Sequence, residues 1–430
     1  TTLYSSSAAS DVYKRQTEGW PVGVRLALEA VRAAPPGSEV LGAGFLDRGT
    51  QEYLASEVID GLPPAVRRHL IVASLFDQFN AELCEAVFAD VMSGPTSMSA
   101  AEFIDWIFDH NLFIVALDAQ GVWFRFHHLF ARLLDHWRTS HLFDLGLAED
   151  EARRSAAHHL EHAGLIEEAL TQLVRAGDDE GAARLVSTHG NDLVETERWN
   201  DLDRLLAMLP ADVVERDPRL VVLSAWIAGE VQARYSDMSG LLDRADELLD
   251  GEVVAGPGAA AELRGQIACL RGAYVHLVDG NFERALADAL TAQRLLADRP
   301  GRSLVFAYVL EVVALASAGQ GAEAHRIASS VVGDGRFSDA PFDPLIYAMP
   351  YVGWLSGNLG EVEHYGEQLL AIGERFGLAD TVATAHYFLG VAAYERNRLQ
   401  EAEQHLAVTV DLRYRAPSGL STHASIALAA

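Results

Sequence analysis

The sequence predicts a mainly α-helical protein in which one small β-hairpin precedes a long array of helical repeats. Two apolar runs, Leu112–Leu117 and a second that begins at Val122, are separated by Asp118–Gly121. Two strand-like runs joined by a short segment that ends in glycine are typical of a β-hairpin. The array is indicated by a glycine and alanine pattern whose last four occurrences are 39, 38 and 40 residues apart. A near-constant period of this size is typical of a helical solenoid.

The composition is that of an ordinary globular protein with a strong acidic excess. The 430 residues are too many for a single core, so we expect two or more domains. The formal net charge is -28, which disfavours both a large nucleic-acid surface and an anionic membrane surface. We therefore expect no direct binding of nucleic acid or membrane by this chain.

The cysteines and the hydropathy indicate a reducing compartment. Cys84 and Cys269 lie far apart in the sequence, which predicts two buried thiols rather than a disulfide framework. We find neither a run of 18 apolar residues nor a secretory leader with a clear cleavage site. A cytoplasmic protein is the expectation.

The two ends of the chain look unlike the rest. Residues 1–16 are rich in serine, lack an apolar period and contain Lys14, the only lysine in the sequence. They resemble a spurious leader found on predicted gene fragments, so we expect them to be non-native. The other end stops without a clear helix terminus. Both ends predict a fragment of a longer protein.

Residues 17–47 predict a helical segment. A turn at Thr17–Pro21 leads into an amphipathic helix through Val24, Leu28 and Val31, and Pro35-Pro36-Gly37 ends it.

Residues 48–140 predict a winged-helix domain. Helices are expected over Gln51–Asp60, from Pro64 or Ala65 onward, over Ala81–Ala89 after an Asn80 cap, and over Ala100–His110. The hairpin follows as the wing. After it, apolar residues recur at three and four positions, which predicts a closing helix. They are Leu129, Phe130, Leu133, Leu134 and Trp137.

Residues 141–430 predict stacked helical hairpins. A glycine or asparagine is followed five residues later by alanine or valine in six segments. The segments begin at Gly164, Gly177, Gly280, Gly319, Gly357 and Asn397. The first residue is expected to end a helix in the left-handed conformation, and the small residue lets the next helix pack closely. A single hairpin cannot bury its own apolar face, so neighbouring hairpins stack.

The repeats resemble tetratricopeptide repeats. The last unit carries the resemblance best, because several of its residues fall at the spacings of that family. They are Leu389, Gly390, Asn397, Leu399, Ala402 and Leu406. The period exceeds the roughly 34 residues of that repeat and most of its Trp, Leu, Gly and Tyr positions are missing. The array therefore resembles the looser, tetratricopeptide-like class of α-helical solenoid.

An ordered set of three segments carries a wider resemblance. Thr17–Pro21 leads a helix, Leu62–Arg68 and Leu83–Val87 lie in a helical domain, and Trp123–Phe130 spans the end of the wing. In this order, before a tetratricopeptide-like array, they resemble the middle of ATP-dependent LuxR-type transcription activators of the MalT-like kind, which are signal-transducing switch ATPases. The resemblance covers nearly all of residues 17–430, and it implies that residues 17–47 are the helical end of the ATPase module.

That resemblance implies four modules: a P-loop ATPase, a winged helix, a helical sensor solenoid and a DNA-binding helix-turn-helix. It also implies that ADP holds a closed form and that ATP plus an inducer on the solenoid favours self-association and promoter binding. The motif G-x-x-x-x-G-K-[ST] is absent from the sequence, and Lys14 is its only lysine. We expect the chain alone to be no enzyme, and ATP or ADP to bind only in the full-length protein.

Three residues near the start resemble a nucleotide contact of this family. Gly19-Trp20-Pro21 is similar to the Gly-x-Pro element that closes over the adenine, where Trp20 would add a packing surface. The alternative is an ordinary proline in the first turn of a helix.

The strand-to-helix junction supplies the other nucleotide candidates. His127 matches the histidine that the winged helix of such ATPases presents to the β-phosphate of ADP, and Arg125 lies two residues earlier. Helix N-termini commonly bind anions. The alternative is that His127 or His128 caps the following helix or packs under the wing.

The solenoid carries aromatic residues that would suit a sugar or peptide effector, either a small molecule or a protein. Tyr351, Trp354 and Tyr387 are the candidate effector contacts, and packing between repeats is the alternative. His158 and His162 have a spacing that fits a metal, but no third ligand is evident, so we interpret them as part of a solvated helix face.

The leading hypothesis is a regulatory fragment of such an activator, in which effector binding on the solenoid is coupled to self-association. A stand-alone tetratricopeptide-like scaffold for a protein partner is the alternative. An enzyme is disfavoured, because no catalytic constellation has convincing spacing.

Overall fold

The computed structural model describes residues 59, 61–91, 98–110, 112, 114–141, 149–232, 234–251, 257–299, 301–333, 344–414 and 419–429. The predictions for residues 1–16, for residues 17–47 including Gly19, Trp20 and Pro21, and for a helix over Gln51–Asp60 lie outside them. The chain divides into two compact units, Thr1–Asp178 and Asp179–Ala430. Within this described part, no helix is both long and apolar enough to cross a membrane.

The first unit contains a winged helix. Its elements are α1 (Pro64–Ala73), α2 (Ala81–Val91), α3 (Ala100–Asp109), β1 (Ile114–Ala116), β2 (Phe124–Phe126) and α4 (His128–His141). Pro64 begins α1, and the side chain of Asn80 accepts the backbone N–H of Leu83 at 2.7 Å, as the sequence predicts. Ser99 and Glu102 form a reciprocal cap at the start of α3. These local signals determine where the helices begin.

The wing is an antiparallel pair in which Val115 is opposite Arg125. Its strands are shorter than the apolar runs predict, because the Asp118 carboxylate accepts the backbone N–H groups of Val122 and Trp123 and so shapes a wider loop. Phe79 adds a further bridge, exchanging two backbone hydrogen bonds of 2.8 Å with Phe124. The wing is thereby tied to the helical core of this unit.

Two further helices complete the first unit, α5 (Glu149–His162) and α6 (Ile166–Arg175). Gln172 of α6 donates to the carbonyl of Leu75 at 3.0 Å and accepts from Arg153 of α5 at 2.8 Å. All three residues lie in the interior. The first hairpin after the winged helix therefore packs onto the winged-helix core.

The described part of the second unit is helical throughout. Its elements are α7 (Asp179–Glu195), α8 (Trp199–Ala207), α9 (Ala211–Arg216), α10 (Pro218–Trp226), α11 (Tyr235–Asp250), α12 (Pro257–Tyr274), α13 (Phe282–Leu296), α14 (Arg302–Ser317), α15 (Gly321–Gly333), α16 (Pro344–Ser356), α17 (Leu359–Phe376), α18 (Ala379–Glu395), α19 (Leu399–Asp411), a 3₁₀ turn (Leu412–Tyr414) and α20 (Gly419–Ala429). Successive helices pack against each other as a solenoid of hairpins.

The repeat pattern has the predicted conformation at every position. The backbone φ angle is positive at the six residues that begin the pattern, with Asn397 at 56°. They are Gly164, Gly177, Gly280, Gly319, Gly357 and Asn397. The small residues five positions later are buried, among them Ala285 and Ala324, each fully inaccessible to solvent. Glu197 also has a φ of 56°, which the glycine pattern does not predict.

Two π-helical turns interrupt the regular hairpins. Ile227–Val231 continues α10, and Val275–Asp279 continues α12. Such turns are rare and are found frequently at functional sites. Both thiols predicted to be buried, Cys84 and Cys269, are buried and free.

Candidate functional site

At the strand-to-helix junction of the wing, His127 directly precedes the first residue of α4. β2 ends at Phe126, and the carbonyl of His127 accepts the N–H of Ala131 at 2.9 Å, so His127 occupies the capping position. The residue is 6% exposed, and its ring stacks on that of His128 with the ring centroids 4.6 Å apart. Arg125 lies on β2, where its guanidinium donates to the carbonyl of Phe126 at 3.4 Å. The nucleotide roles predicted for Arg125 and His127 stay predictions.

The histidines of α5 have structural partners. His159 faces the Asp90 carboxylate at 3.3 Å, and Ser155 donates to the same carboxylate oxygen at 2.5 Å. The Ser155 hydrogen bond lowers the pKa of Asp90 below its ordinary value, with His159 adding to the effect. The ring of His162 bonds the carbonyl of His158. Among the described residues there is no group of three His, Cys, Asp or Glu side chains that would hold a metal ion.

A cavity of about 300 Å³ lies in the second unit. Helices α12, α14, α16 and α18 form most of its wall. The turn Ile227–Val231, α11, the turn Val275–Asp279 and α20 contribute the other lining residues. Its apolar wall includes Phe306, Val309, Leu310, Val313 and Phe388. The volume is at the small end of the range for sites that bind small molecules. Residues from Gly229 to His423 line it, so a bound molecule would contact several repeats at once.

The two π-helical turns supply polar side chains to the cavity. Glu230 comes from the first turn and His276 from the second. Burial raises the pKa of Glu230 and lowers the pKa of His276, so each is biased towards its neutral form. The wider π-turn is the local feature that distinguishes these positions from the ordinary helical hairpins.

The floor of the cavity is a buried charge network centred on Arg302. Its guanidinium donates to the Glu197 carboxylate at 2.7 Å and lies 3.9 Å from the Asp380 carboxylate. Glu197 also accepts the backbone N–H of Thr381 at 3.1 Å and its hydroxyl at 2.8 Å. The guanidinium lies 5.3 Å from the Trp199 ring centroid, within the range of a cation–π contact.

Glu195 and Tyr347 complete the network around Arg302 and Asp380. Glu195 accepts the backbone N–H of Arg302 through both carboxylate oxygens, at 2.8 and 2.7 Å. Tyr347 donates its hydroxyl to Asp380 at 3.4 Å. Burial, reinforced by the neighbouring Glu197 carboxylate, raises the pKa of Asp380 to about 7. Burial likewise raises the pKa of Tyr347 well above its ordinary value.

The predicted effector residues lie at or next to this cavity. Tyr351 contributes to its wall, whereas Trp354 and Tyr387 do not. Trp354 is 39% exposed and packs edge-on against Tyr351, with the ring centroids 6.0 Å apart. Tyr387 packs with Phe388 in the neighbouring apolar cluster. The structure therefore brings the three aromatics to one region of the solenoid.

The sequence analysis missed the residues that give the cavity its charge. They are Glu197, Glu230, His276, Arg302 and Asp380. Only Glu197 could have been noticed in the sequence. It occupies the turn position at which neighbouring repeats have a glycine or an asparagine. The others look like ordinary polar residues on helical repeats, because the contacts that define them join different repeats.

The winged helix is similar to a known domain family. Residues 55–142 match the family model of the MalT winged helix domain. This range contains the described helices α1–α3, both strands and α4. The segment has the same order of elements that the sequence predicts for a winged-helix domain.

Two curated relatives cover much of the chain at similar identity. The serine/threonine-protein kinase PknK of Mycobacterium tuberculosis is 29% identical over 290 residues, which are 66% of this chain and 25% of the relative. The HTH-type transcriptional regulator MalT of Klebsiella pneumoniae is 29% identical over 227 residues, 53% of this chain and 24% of the relative. The chain thus spans about a quarter of the length of these relatives.

A solved structure has the same fold over most of the chain. It is a signal-transduction ATPase with numerous domains (STAND) that carries a tetratricopeptide repeat sensor, from Pyrococcus horikoshii. The TM-score is 0.56 at 14% identity, over 94% of this chain and 56% of that chain. At this identity the likeness concerns the fold.

A winged helix followed by a tetratricopeptide-like helical solenoid is the architecture of the described part of the chain. The match to the MalT winged helix domain and the identity to MalT make the chain MalT-like. Over about half of its length the chain is similar to a MalT-type regulator.

Proposed function

We propose that this chain couples effector binding on its solenoid to nucleotide-controlled self-association of an ATP-dependent LuxR-type transcription activator. DNA binding and ATP hydrolysis would belong to modules outside the chain, and the activator would act in the cytoplasm. The observation that carries the proposal is the cavity of the second unit, whose wall joins residues from Gly229 to His423. A ligand there bridges several repeats, so it favours one packing of the solenoid over others.

Such coupling requires the effector to bind one state better than another. The charge network at the cavity floor suits this requirement, because Arg302, Glu197 and Asp380 come from helices or turns that are distant in sequence. A small shift of α14 or α18 changes the contacts of all three. Tyr351, Trp354 and Tyr387 are the proposed effector contacts or their immediate support.

The nucleotide part of the proposal rests on the wing. His127 would donate to the β-phosphate of ADP, with Arg125 beside it and with Gly19, Trp20 and Pro21 closing over the adenine. The position of His127 at the N-terminal end of α4 supports an anion contact, since backbone N–H groups point outward there. A neutral or protonated imidazole would each offer a donor.

The experiment starts with the complete reading frame. A P-loop before this segment and a helix-turn-helix after it support the activator. A frame that lacks both contradicts it and favours a stand-alone scaffold for a protein partner. With the full-length protein, retained ADP and self-association by light scattering are measured for the wild type, His127→Ala and Arg132→Ala. Arg132 is an exposed cation on the same helix and serves as the control.

The two variants separate a nucleotide role from a general effect of the helix. His127→Ala is expected to release ADP faster or to self-associate without effector, while Arg132→Ala behaves as the wild type. Unchanged ADP release and unchanged effector dependence in His127→Ala would exclude the nucleotide role.

A further inference from the structure

We propose that the cavity of the second unit binds a small organic cation, an amine with an apolar body about the size of one aromatic ring. The inference rests on the proposed sensor function and specifies the effector's chemical class. Two carboxylates and a set of aromatic side chains face the same cavity, which is the combination that recognises an ammonium group attached to an apolar group.

The first argument is the balance of charge. Glu230 and Asp380 line the cavity together with Arg302, and Glu197 lies directly behind Arg302. Three carboxylates therefore surround one guanidinium. Arg302 is already bonded to Glu197 at 2.7 Å, so its charge is matched within the protein. Glu230 is left without a counter-charge at contact distance, and a cationic ligand would stabilise its charged form whereas an anionic ligand would not.

The second argument is the position of Glu230. Among the described residues its carboxylate has neither a hydrogen bond nor an ion pair at contact distance, and the Arg302 guanidinium acts on it through its charge alone. Burial raises its pKa, and the opposing effect of the Arg302 guanidinium is smaller. An ammonium group next to Glu230 would supply the missing positive charge. A carboxylate kept in this state is costly for the fold, and a ligand would offset that cost.

The third argument is His276, which the second π-helical turn brings to the same cavity. The side chain is 9% exposed, and its Nδ1 atom has no hydrogen-bond partner among the described residues. Its pKa is lowered by burial, so a ring nitrogen is available as an acceptor. An ammonium N–H is a donor that fits this acceptor. Both π-helical turns in the described part of the solenoid therefore contribute a group that an amine would satisfy.

The fourth argument is the shape and polarity of the remaining wall. Tyr347, Tyr351, Phe306 and Phe388 give it aromatic faces, and aliphatic side chains from α12 and α14 complete it. A ligand with many hydroxyl groups would leave most of these groups unpaired against an apolar wall. Exposed Leu277 and His423 place the mouth of the cavity at the surface. A compact amine with one ring fits both the polarity and the volume of about 300 Å³.

The test uses three probes that share one body and differ in charge: phenethylammonium, 2-phenylethanol and 3-phenylpropionate. Binding to the 430-residue chain is measured by calorimetry and by the shift of the melting temperature. Phenethylammonium is expected to bind at least tenfold more tightly than the other two. Equal binding of the three probes, or no binding of phenethylammonium at millimolar concentration, would overturn the proposal.

Variants test the residue that carries the charge. Glu230→Gln is expected to weaken phenethylammonium binding at least tenfold, while Glu247→Gln, an exposed carboxylate of α11, leaves it unchanged. Leu277→Arg provides a second test that disturbs no buried residue, because Leu277 is 61% exposed. It is expected to weaken binding of the cation, whereas Leu277→Gln does not. Binding that is indifferent to Glu230→Gln and Leu277→Arg would place the amine elsewhere.

Failure of the cation site and failure of the proposed coupling give different results. If phenethylammonium binds as expected but changes neither ADP retention nor self-association of the full-length protein, the cation site stands and the coupling fails. If a neutral or anionic effector drives self-association while the amine does not bind, the coupling stands and the cation site fails.

Discussion

The guanidinium of Arg302 donates to the carboxylate of Glu197 at 2.7 Å across 105 positions of sequence. The side chains are 7% and 0% exposed, so both charges are taken from water. Glu197 reaches this position from a left-handed backbone conformation with a φ of 56°, at the turn between α7 and α8. The pair links that turn to α14, and Thr381 extends the link to α18.

Removing one partner of this pair is expected to destabilise the second unit strongly. Glu197→Gln leaves the charge of Arg302 without its main partner, which typically costs about 3–5 kcal/mol for a buried ion pair. Urea denaturation followed by circular dichroism measures the free energy of unfolding. Adding Arg302→Met to Glu197→Gln is expected to recover a large part of the loss. A double variant no more stable than Glu197→Gln alone would show that the charge is not the cause.

The raised pKa of Asp380 predicts a pH-dependent stability. The pKa of this carboxyl group is about 7 in the folded protein and near 3.8 in the unfolded chain. Between about pH 4 and pH 7 the folded state therefore binds more protons than the unfolded state. The contribution of Asp380 to stability is therefore greatest at low pH and falls as pH rises towards 7. Asp380→Asn removes this dependence while keeping an acceptor for Tyr347. The difference in unfolding free energy between Asp380→Asn and wild type is expected to grow in favour of the variant from pH 5 to pH 8, and a constant difference would contradict the assignment.

Close helix packing in the repeats predicts a penalty for adding one methyl group. A Cβ atom at Gly373 would lie 2.7 Å from Cγ2 and 3.0 Å from the backbone N of Val382. Gly373→Ala is therefore expected to lower the unfolding free energy by about 1–3 kcal/mol. Gly240→Ala is the control, because nothing lies within 4 Å of its Cβ position and it is inside α11. That control is expected to raise the unfolding free energy by about 0.5–1 kcal/mol. Equal effects of the two substitutions would argue against the packing of α17 on α18.

The cap of α3 predicts a smaller effect in the winged helix. Ser99 accepts the backbone N–H of Glu102 at 3.2 Å, and the Glu102 side chain accepts the backbone N–H of Ser99 at 2.8 Å. Ser99→Ala is expected to lower the stability of the first unit by about 1 kcal/mol, because one helix N–H loses its acceptor. Ser99→Asp, which keeps an acceptor, is expected to remain within a few tenths of a kcal/mol of the wild type. Thermal unfolding of the chain distinguishes the two, and equal losses would mean that the cap contributes little.

Local signals in the sequence predicted most of the fold. Pro64 and Asn80 mark helix starts, and Asp118–Gly121 marks the wing, because each acts through its own backbone or that of near neighbours. Asn397 marks a repeat turn for the same reason. The aromatic residues singled out in the sequence include Tyr351, which lines the cavity, and their role as effector contacts stays a prediction.

The sequence by itself determined the order of helices, the wing, and the period of the repeats, because these depend on contacts within a few residues. Only the tertiary structure decided which polar residues form a site. Glu230 and His276 enter the cavity through π-helical turns, and Arg302 meets Glu197 and Asp380 across distant repeats. The physical reason is burial: a carboxyl group that is solvated and charged on an isolated helix needs a buried partner, or is biased towards its neutral form, when stacked repeats exclude water around it.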